Sequence, residues 1–157
     1  MLDCKFYVKV LIIMDKLEQI LKMWEEDSEI DQTEPSRELI KIPKYHSKYL
    51  NALTKHKFAA KKAVFDYNVM RKVKFEYYTG KLDQAELDKY GWEQFQFSLK
   101  SDISYYFDSD KDLIKLLEKK VYHEECVEVI TAIMKELNQR TWQLKEYIAW
   151  ERFIGGQ

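Results

Sequence analysis

Hydrophobic residues recur at intervals of three and four along three stretches of the chain, which short polar or glycine-containing segments separate. This spacing places apolar side chains on one face of an α-helix and polar side chains on the other. Few residues interrupt the pattern, since the 157-residue sequence has only four glycines and two prolines. The pattern predicts an all-α protein of long amphipathic helices, with a short region of helix and loop in the middle.

The first stretch runs from Phe6 to Trp24 and fits one amphipathic helix, although its opening letters FYVKVLII would also suit a strand. The acidic segment WEEDSEIDQTEP follows. We expect residues 25–43 to form a loop with at most one short helix. We expect a new helix to begin near Pro43, because proline is tolerated in the first turn.

The second stretch, residues 44–79, contains neither glycine nor proline, and Gly80 is the expected helix end. It predicts one long helix, or two joined by a small kink. At 100° per residue, most of its apolar side chains fall within one arc roughly 120° wide. Lys74 also lies inside this arc. Either its aliphatic stem packs there while its ammonium reaches water, or it lines a groove that binds phosphate.

The middle of the chain predicts shorter elements. Residues 83–91, DQAELDKYG, predict a short helix that Asp83 and Glu86 cap and Gly91 ends. Residues 92–110 predict loop plus helix, with a short strand as an alternative. Ser109 and Asp112 have the spacing of a second capping box.

The third stretch, residues 110–153, predicts a helical stripe made of Leu113, Leu117, Val121, Val127, Ile130, Met134, Leu137, Leu144 and Ile148. A break near Asn138 would leave a separate terminal helix whose apolar side chains fall on more than one face. Such a helix must be buried, either on the chain's own core or on another subunit, and we favour the subunit. The expected oligomerisation residues are Trp142, Leu144, Tyr147, Ile148, Trp150 and Phe153.

Charge is segregated along the chain. Residues 41–81 hold eleven basic and two acidic residues, a balance of +9, although the whole chain has a net charge of −1. The same residues hold eight aromatic side chains. Cations for phosphates and rings for bases are what a protein needs to bind single strands without sequence preference. A solvated lysine face is the alternative explanation.

The sequence predicts neither an enzyme nor a cofactor. It has no glycine-rich phosphate loop, and its three histidines form no catalytic arrangement. His123 and Cys126 could supply two metal ligands, but zinc requires four. The segment DSDKDLIKLLEK begins like a calcium loop, yet it lacks the turn glycine and the final glutamate, so capping explains its aspartates better. With no membrane-length apolar run and two distant cysteines, we expect a soluble intracellular protein.

Four segments carry a family resemblance: DKLEQILKMWEEDSEID, KYHSKYLNALTKHK, KVKFEYYTG and DSDKDLIKL. They occur in the order found in the UvsY family, the recombination mediators of T-even-type phages, and the sequence resembles that family over about residues 14–157. The motif Lys-x-Arg-apolar-x-Tyr-Tyr-small-Gly matches here at residues 72–80. Its arginine is replaced by Lys74, which keeps the charge but lacks the planar bidentate guanidinium.

The resemblance implies a non-enzymatic accessory protein in the cytoplasm of an infected bacterium. It would bind single-stranded DNA and help load a RecA-like recombinase of the UvsX type onto strands covered by the phage single-strand-binding protein. The processes implied are homologous recombination, recombination-dependent replication and repair. It also implies a ring-shaped homo-oligomer, a hexamer, that the C-terminal region assembles. The alternative is a helical oligomeric adaptor that binds nucleic acid weakly, with its lysines facing acidic residues such as 25–34 of a neighbouring subunit.

The family's motif cations favour DNA contact by Lys74 together with Lys72. Tyr77 lies off the apolar arc and is the expected stacking residue, whereas Tyr78 is expected in the core. The track of phosphate contacts would extend along Lys57, Lys61 and Lys62.

The domain prediction has three parts. Residues 1–13 are an N-terminal extension, or are not translated if Met14 is the start. Residues 14–109 form the region that binds single-stranded DNA, and residues 110–157 form the oligomerisation region.

Overall fold

Five α-helices contain most of the residues that the structure describes. The computed structural model describes the backbone of residues 4–95 and 100–156, and the side chains of residues 16–95 and 101–156. The helices are α1 (Cys4–Ser28), α2 (Pro35–Tyr78), α3 (Gln84–Tyr90), α4 (Ile103–Ser109) and α5 (Lys111–Ile154). A 3₁₀ turn, Lys100–Asp102, precedes α4. Within these residues every regular element is helical, which confirms the predicted all-α class.

The start of α2 differs from the prediction. The helix begins at Pro35, so that residues 29–34 alone separate it from α1, and the expected loop over residues 25–43 is wrong. Pro35 occupies the first turn, the position that the sequence pattern had suggested for Pro43. Pro43 lies inside α2. It has no N–H to donate to the carbonyl four residues earlier, and the helix continues past it despite this lost bond.

The C-terminal end of α2 and both ends of α3 follow the local sequence. Gly80 ends α2 with a φ of 66°, donating to the Tyr77 carbonyl while the Lys81 N–H donates to the Glu76 carbonyl. These two bonds form a Schellman motif, which requires a residue that tolerates the left-handed region. In α3, the Asp83 side chain accepts from the Glu86 N–H and Gly91 ends the helix, as predicted.

The region between α3 and α5 contains a helix and no strand in its described part. Residues 92–95 form no regular element, and residues 103–109 form α4. The possible strand would also have used residues 96–99, which lie outside the described residues. The helix predicted for this region is therefore confirmed.

Two details of α5 correct the prediction. Asp110 caps the helix instead of Ser109, because its Oδ1 accepts from the N–H groups of Asp112 and Leu113. The Ser109 hydroxyl donates back to the Tyr105 carbonyl of α4. The break considered near Asn138 does not occur, since α5 is one helix of 44 residues.

The chain divides into two compact units. The first consists of α1, α2 up to Lys57 and α5 from Glu124; the second consists of α2 from Phe58, α3, α4 and α5 up to His123. The first unit is built on a buried stripe of α5 that advances by alternate steps of four and three residues. This stripe contains Cys126, Ile130, Ile133, Leu137, Arg140 and Leu144.

Arg140 is the polar member of that stripe and satisfies the end of α1. Its guanidinium donates to the backbone carbonyls of Asp27 and Ser28, at 2.8 and 3.0 Å, and lies 5.1 Å from the ring centroid of Trp24. A cation at a helix C-terminus pairs with carbonyls that have no intrahelical donor. Asp27 also accepts from Lys48 and Tyr49 of α2, so one acid of the segment 25–34 is paired within its own chain.

Candidate nucleic-acid interface

Four of the predicted DNA-contacting lysines lie exposed on α2. They are Lys57 in the first unit and Lys61, Lys62 and Lys72 in the second. The Lys72 side chain is 78% exposed, and its Nζ lies 3.7 Å from Glu76 Oε1. Because an exposed pair one turn apart contributes little free energy, it leaves Lys72 able to bind an anion.

Lys74 lies in a different environment, although it is only two residues away. Its side chain is 7% exposed, and its Nζ lies 2.9 Å from Asp110 Oδ2 and 2.8 Å from Asp112 Oδ2. The same ammonium lies 3.8 Å from the ring centroid of Trp92, close enough for a cation–π contact. Thus Lys72 and Lys74 do not share a face, as expected for helical residues two positions, or about 200°, apart.

Asp110 is the centre of these contacts. Its Oδ2 accepts from Lys74 and from the Tyr78 hydroxyl at 2.7 Å, while its Oδ1 caps α5 through Asp112 and Leu113. Burial alone would raise the pKa of the Asp110 carboxyl, but the hydrogen bonds from Lys74, Leu113 and Tyr78 outweigh it and lower that pKa. Asp110 thereby ties the last turn of α2 to the first turn of α5.

We refer to Lys74, Tyr78, Trp92, Asp110 and Asp112 as the Lys74 cluster. Within it, the Lys74 ammonium is neither in water nor open to an anion, the two outcomes that the sequence had suggested. A phosphate contact by Lys74 would require both of its ion pairs to open.

The two motif tyrosines belong to one group of aromatic rings. Tyr77 is half-buried, with its ring centroid 5.0 Å from that of Trp92 and 5.4 Å from that of Phe95. Tyr78 is buried and stacks on Tyr106 at 5.1 Å, so its predicted core position is confirmed. Burial raises the pKa of the Tyr78 hydroxyl, and its bond to Asp110 acts in the same direction.

Sequence reasoning singled out Tyr77 and did not single out two rings that are more exposed. Phe58 and Phe65 are exposed on α2, on the same side as Lys61, Lys62 and Lys72. Their positions in the sequence place them well outside the apolar arc of the helix, which is the signal that identifies them.

The predicted oligomerisation residues differ in their exposure to solvent. Leu144 is buried within the chain, whereas Trp142, Trp150 and Phe153 are 68%, 57% and 84% exposed. Tyr147 is exposed as well, and Ile148 is half-buried. Despite this apolar surface, none of the helices among the described residues has the length and hydropathy needed to cross a membrane.

A family model identifies the chain. The model for the recombination, repair and ssDNA binding protein UvsY matches residues 23–157. The chain belongs to the UvsY family. The resemblance inferred from the four sequence segments is therefore confirmed, over a span that includes α2, the Lys74 cluster and all of α5. No curated protein sequence matches the chain.

Solved UvsY structures share the fold. One crystal structure of the bacteriophage T4 recombination mediator protein UvsY, lattice type II, is 20% identical with a TM-score of 0.75, covering 88% of this chain and 96% of that one. Lattice type I gives 20% identity and a TM-score of 0.74, covering 86% and 98%. The lattice type IV structure is 19% identical with a TM-score of 0.70, covering 87% of this chain and 97% of that one. At these identities the likeness establishes the helical fold of the UvsY family.

Proposed function

We propose that this UvsY-family chain is a recombination mediator that holds single-stranded DNA on the exposed lysines of α2. It would help a RecA-like recombinase of the UvsX type to replace the phage single-strand-binding protein on that strand. The observation that carries the proposal is the exposure of cations on α2, Lys61, Lys62 and Lys72 in the second unit and Lys57 in the first, on a protein of a DNA-binding family. Lysines that neutralise phosphates release counterions, and this binds single strands without reading their sequence.

In this proposal Lys74 stabilises the end of α2 and does not itself contact the strand. Its two ion pairs fix the last turns of α2 against the start of α5, and Lys72 projects from the same turns into solvent. Loss of Lys74 would therefore reduce DNA binding indirectly, by loosening the helix end that carries Lys72.

Assembly into a ring of identical subunits is the second part of the proposal. The exposed rings of Trp142, Trp150 and Phe153 are an apolar surface of the kind that subunit interfaces bury. A ring, for which we propose six subunits, would present one lysine row per subunit to the same strand. Several weak sites acting together give high avidity without any strong single contact.

The test is a titration of purified protein with single-stranded oligonucleotide across a range of salt concentrations. Each phosphate contact contributes about 0.7 to the slope of log affinity against log salt for single strands. Lys72→Ala should weaken binding and reduce the slope by about that amount, and Lys61→Ala with Lys62→Ala by about twice as much. Lys119→Ala removes an exposed lysine of α5 and is the matched control, for which we expect an unchanged slope.

Light scattering on the same samples separates the two candidate functions. Unchanged affinity and slope in all the α2 variants would contradict the site. An intact oligomer that fails to bind single strands at moderate salt would instead support the adaptor function.

A further inference from the structure

A row of exposed apolar side chains follows the lysines along α2, within the second unit. Phe58, Phe65 and Val69 are 68%, 65% and 67% exposed. A single exposed apolar residue is ordinary on a protein surface. These three recur at steps of seven and four residues, however, which keeps them on one face of the helix.

Lysines are interleaved with this row. Lys61 and Lys62 lie three or four residues from both Phe58 and Phe65, and so are surface neighbours of each ring. Lys72 lies three residues after Val69 and seven after Phe65. We define the 58–72 face as Phe58, Lys61, Lys62, Phe65, Val69 and Lys72.

We propose that bases of a single-stranded nucleic acid stack on Phe58 and Phe65 while its phosphates pair with the lysines of the 58–72 face. This inference rests on the proposed function and adds the groups that hold the bases. Rings and cations in alternation are the two components of sequence-independent single-strand sites, since every base has a face that can stack.

The separation of the rings sets the form of the bound strand. Seven residues of helix span about 10 Å, at 1.5 Å per residue. Bases stacked on one another repeat at about 3.4 Å along a strand. One base held between two rings needs only two such intervals, so Phe58 and Phe65 are too far apart to hold the two faces of the same base, and each ring would take a different base of the strand.

Charge favours a polyanion over another protein surface as the occupant of the 58–72 face. Asp66 is the only acidic residue between Lys57 and Phe75, and it is half-buried. A second copy of the chain docked here would bury three lysines, each of which would lose hydration. Phosphates compensate those charges, and the exposed Trp142 and Phe153 already offer a separate apolar surface for self-association.

The experiment compares an oligothymidine with an abasic strand of equal length, which has the same phosphates but no bases. For Phe65→Ala we expect affinity for oligothymidine to fall at least about fivefold, with unchanged affinity for the abasic strand and an unchanged salt slope. For Phe58→Ala we expect the same loss of affinity for oligothymidine alone. Phe65→Trp keeps a ring and should restore binding, and Val121→Ala, which removes an exposed apolar group of α5 outside the 58–72 face, should bind like the unmodified chain.

Each other result overturns the stacking role. Equal losses on both strands, or no loss on either, would mean that Phe65 does not touch bases, while the proposed function would stand if Lys72→Ala still lowers the slope. A change in particle mass for Phe65→Ala, measured by light scattering, would show that the face binds another subunit. If the unmodified chain binds neither strand, the proposed function itself fails. Because Phe58 and Phe65 are exposed, we expect the variants to fold, and circular dichroism checks this.

Discussion

Removing the charge of Lys74 should destabilise the fold without removing a phosphate contact. Lys74→Met keeps most of the aliphatic stem and places a thioether against Trp92, a favourable contact for sulfur. What it removes is the ammonium that lies within 3 Å of Asp110 and Asp112. The variant therefore tests the two ion pairs with little change in packing.

The expected magnitude follows from how deeply each partner is buried. Removing one partner of a buried ion pair costs about 3–5 kcal/mol, because the other charge stays buried without compensation. The Asp110 side chain is 3% exposed, but it keeps its bonds to Tyr78 and to two backbone N–H groups. Asp112 is 40% exposed and loses little. We therefore expect the lower end of the range, about 3 kcal/mol.

The assay is urea unfolding followed by circular dichroism, at one protein concentration because an oligomer's stability depends on concentration. Lys74→Arg is the matched control: it keeps the charge and offers two parallel N–H groups to the carboxylates, so we expect a change below about 1 kcal/mol. In a double-mutant cycle with Asp110→Asn, the two losses should not add, with a coupling of at least about 1 kcal/mol.

DNA binding supplies the result that would refute this reasoning. Under conditions where Lys74→Met is folded, its salt slope should equal that of the unmodified chain. Suppose instead that Lys74→Met keeps its stability but binds single strands more weakly, with a slope reduced by about 0.7. The ammonium of Lys74 in the unmodified chain would then contact a phosphate, and the buried ion pairs would not be its main role.

Two further predictions concern acid stability and assembly. The lowered pKa of Asp110 means that its stabilisation is complete above its unfolded pKa of about 3.9 and is lost as pH falls through the folded value. The difference in unfolding free energy between the unmodified chain and Asp110→Asn should therefore narrow below about pH 4, and a constant difference would contradict the assignment. Trp150→Ser with Phe153→Ser should lower the particle mass in light scattering while helicity is retained, since both side chains are exposed in the single chain; unchanged mass would exclude them from the interface.

The sequence predicted the elements whose signals are local. Gly80 and Gly91 ended helices because only glycine enters the left-handed region at low cost, and Asp83 capped α3 because its side chain reaches an N–H three residues on. At Pro43 the local signal was not decisive, and the helix start predicted there was wrong. A proline is compatible with a first turn but does not require one, and here α2 forms around it with Pro35 at the start.

The environment of Lys74 was predictable only in part. Its angle on the helix showed that it lies among apolar side chains. The partners that decide its role, Asp110 and Asp112, lie on α5 and its cap, more than thirty residues away in sequence, and no local pattern joins them to Lys74. Of the three aspartates attributed to capping, Asp110 does cap α5, but it has two carboxylate oxygens, and its second oxygen is the one that accepts from Lys74.

The separation of Lys72 from Lys74 bears on how a mediator could release a strand. Four exposed lysines on one chain would give a salt slope of no more than about 3, which is weak binding by itself. Avidity from several chains can make the whole complex tight while every single contact remains easy to break. A recombinase could then displace the strand from one subunit at a time. Under the proposed function this requires lysines on a stable helix end that bind the DNA weakly, and the ion pairs of the buried Lys74 with two carboxylates would stabilise that end without a strong DNA contact by Lys74 itself.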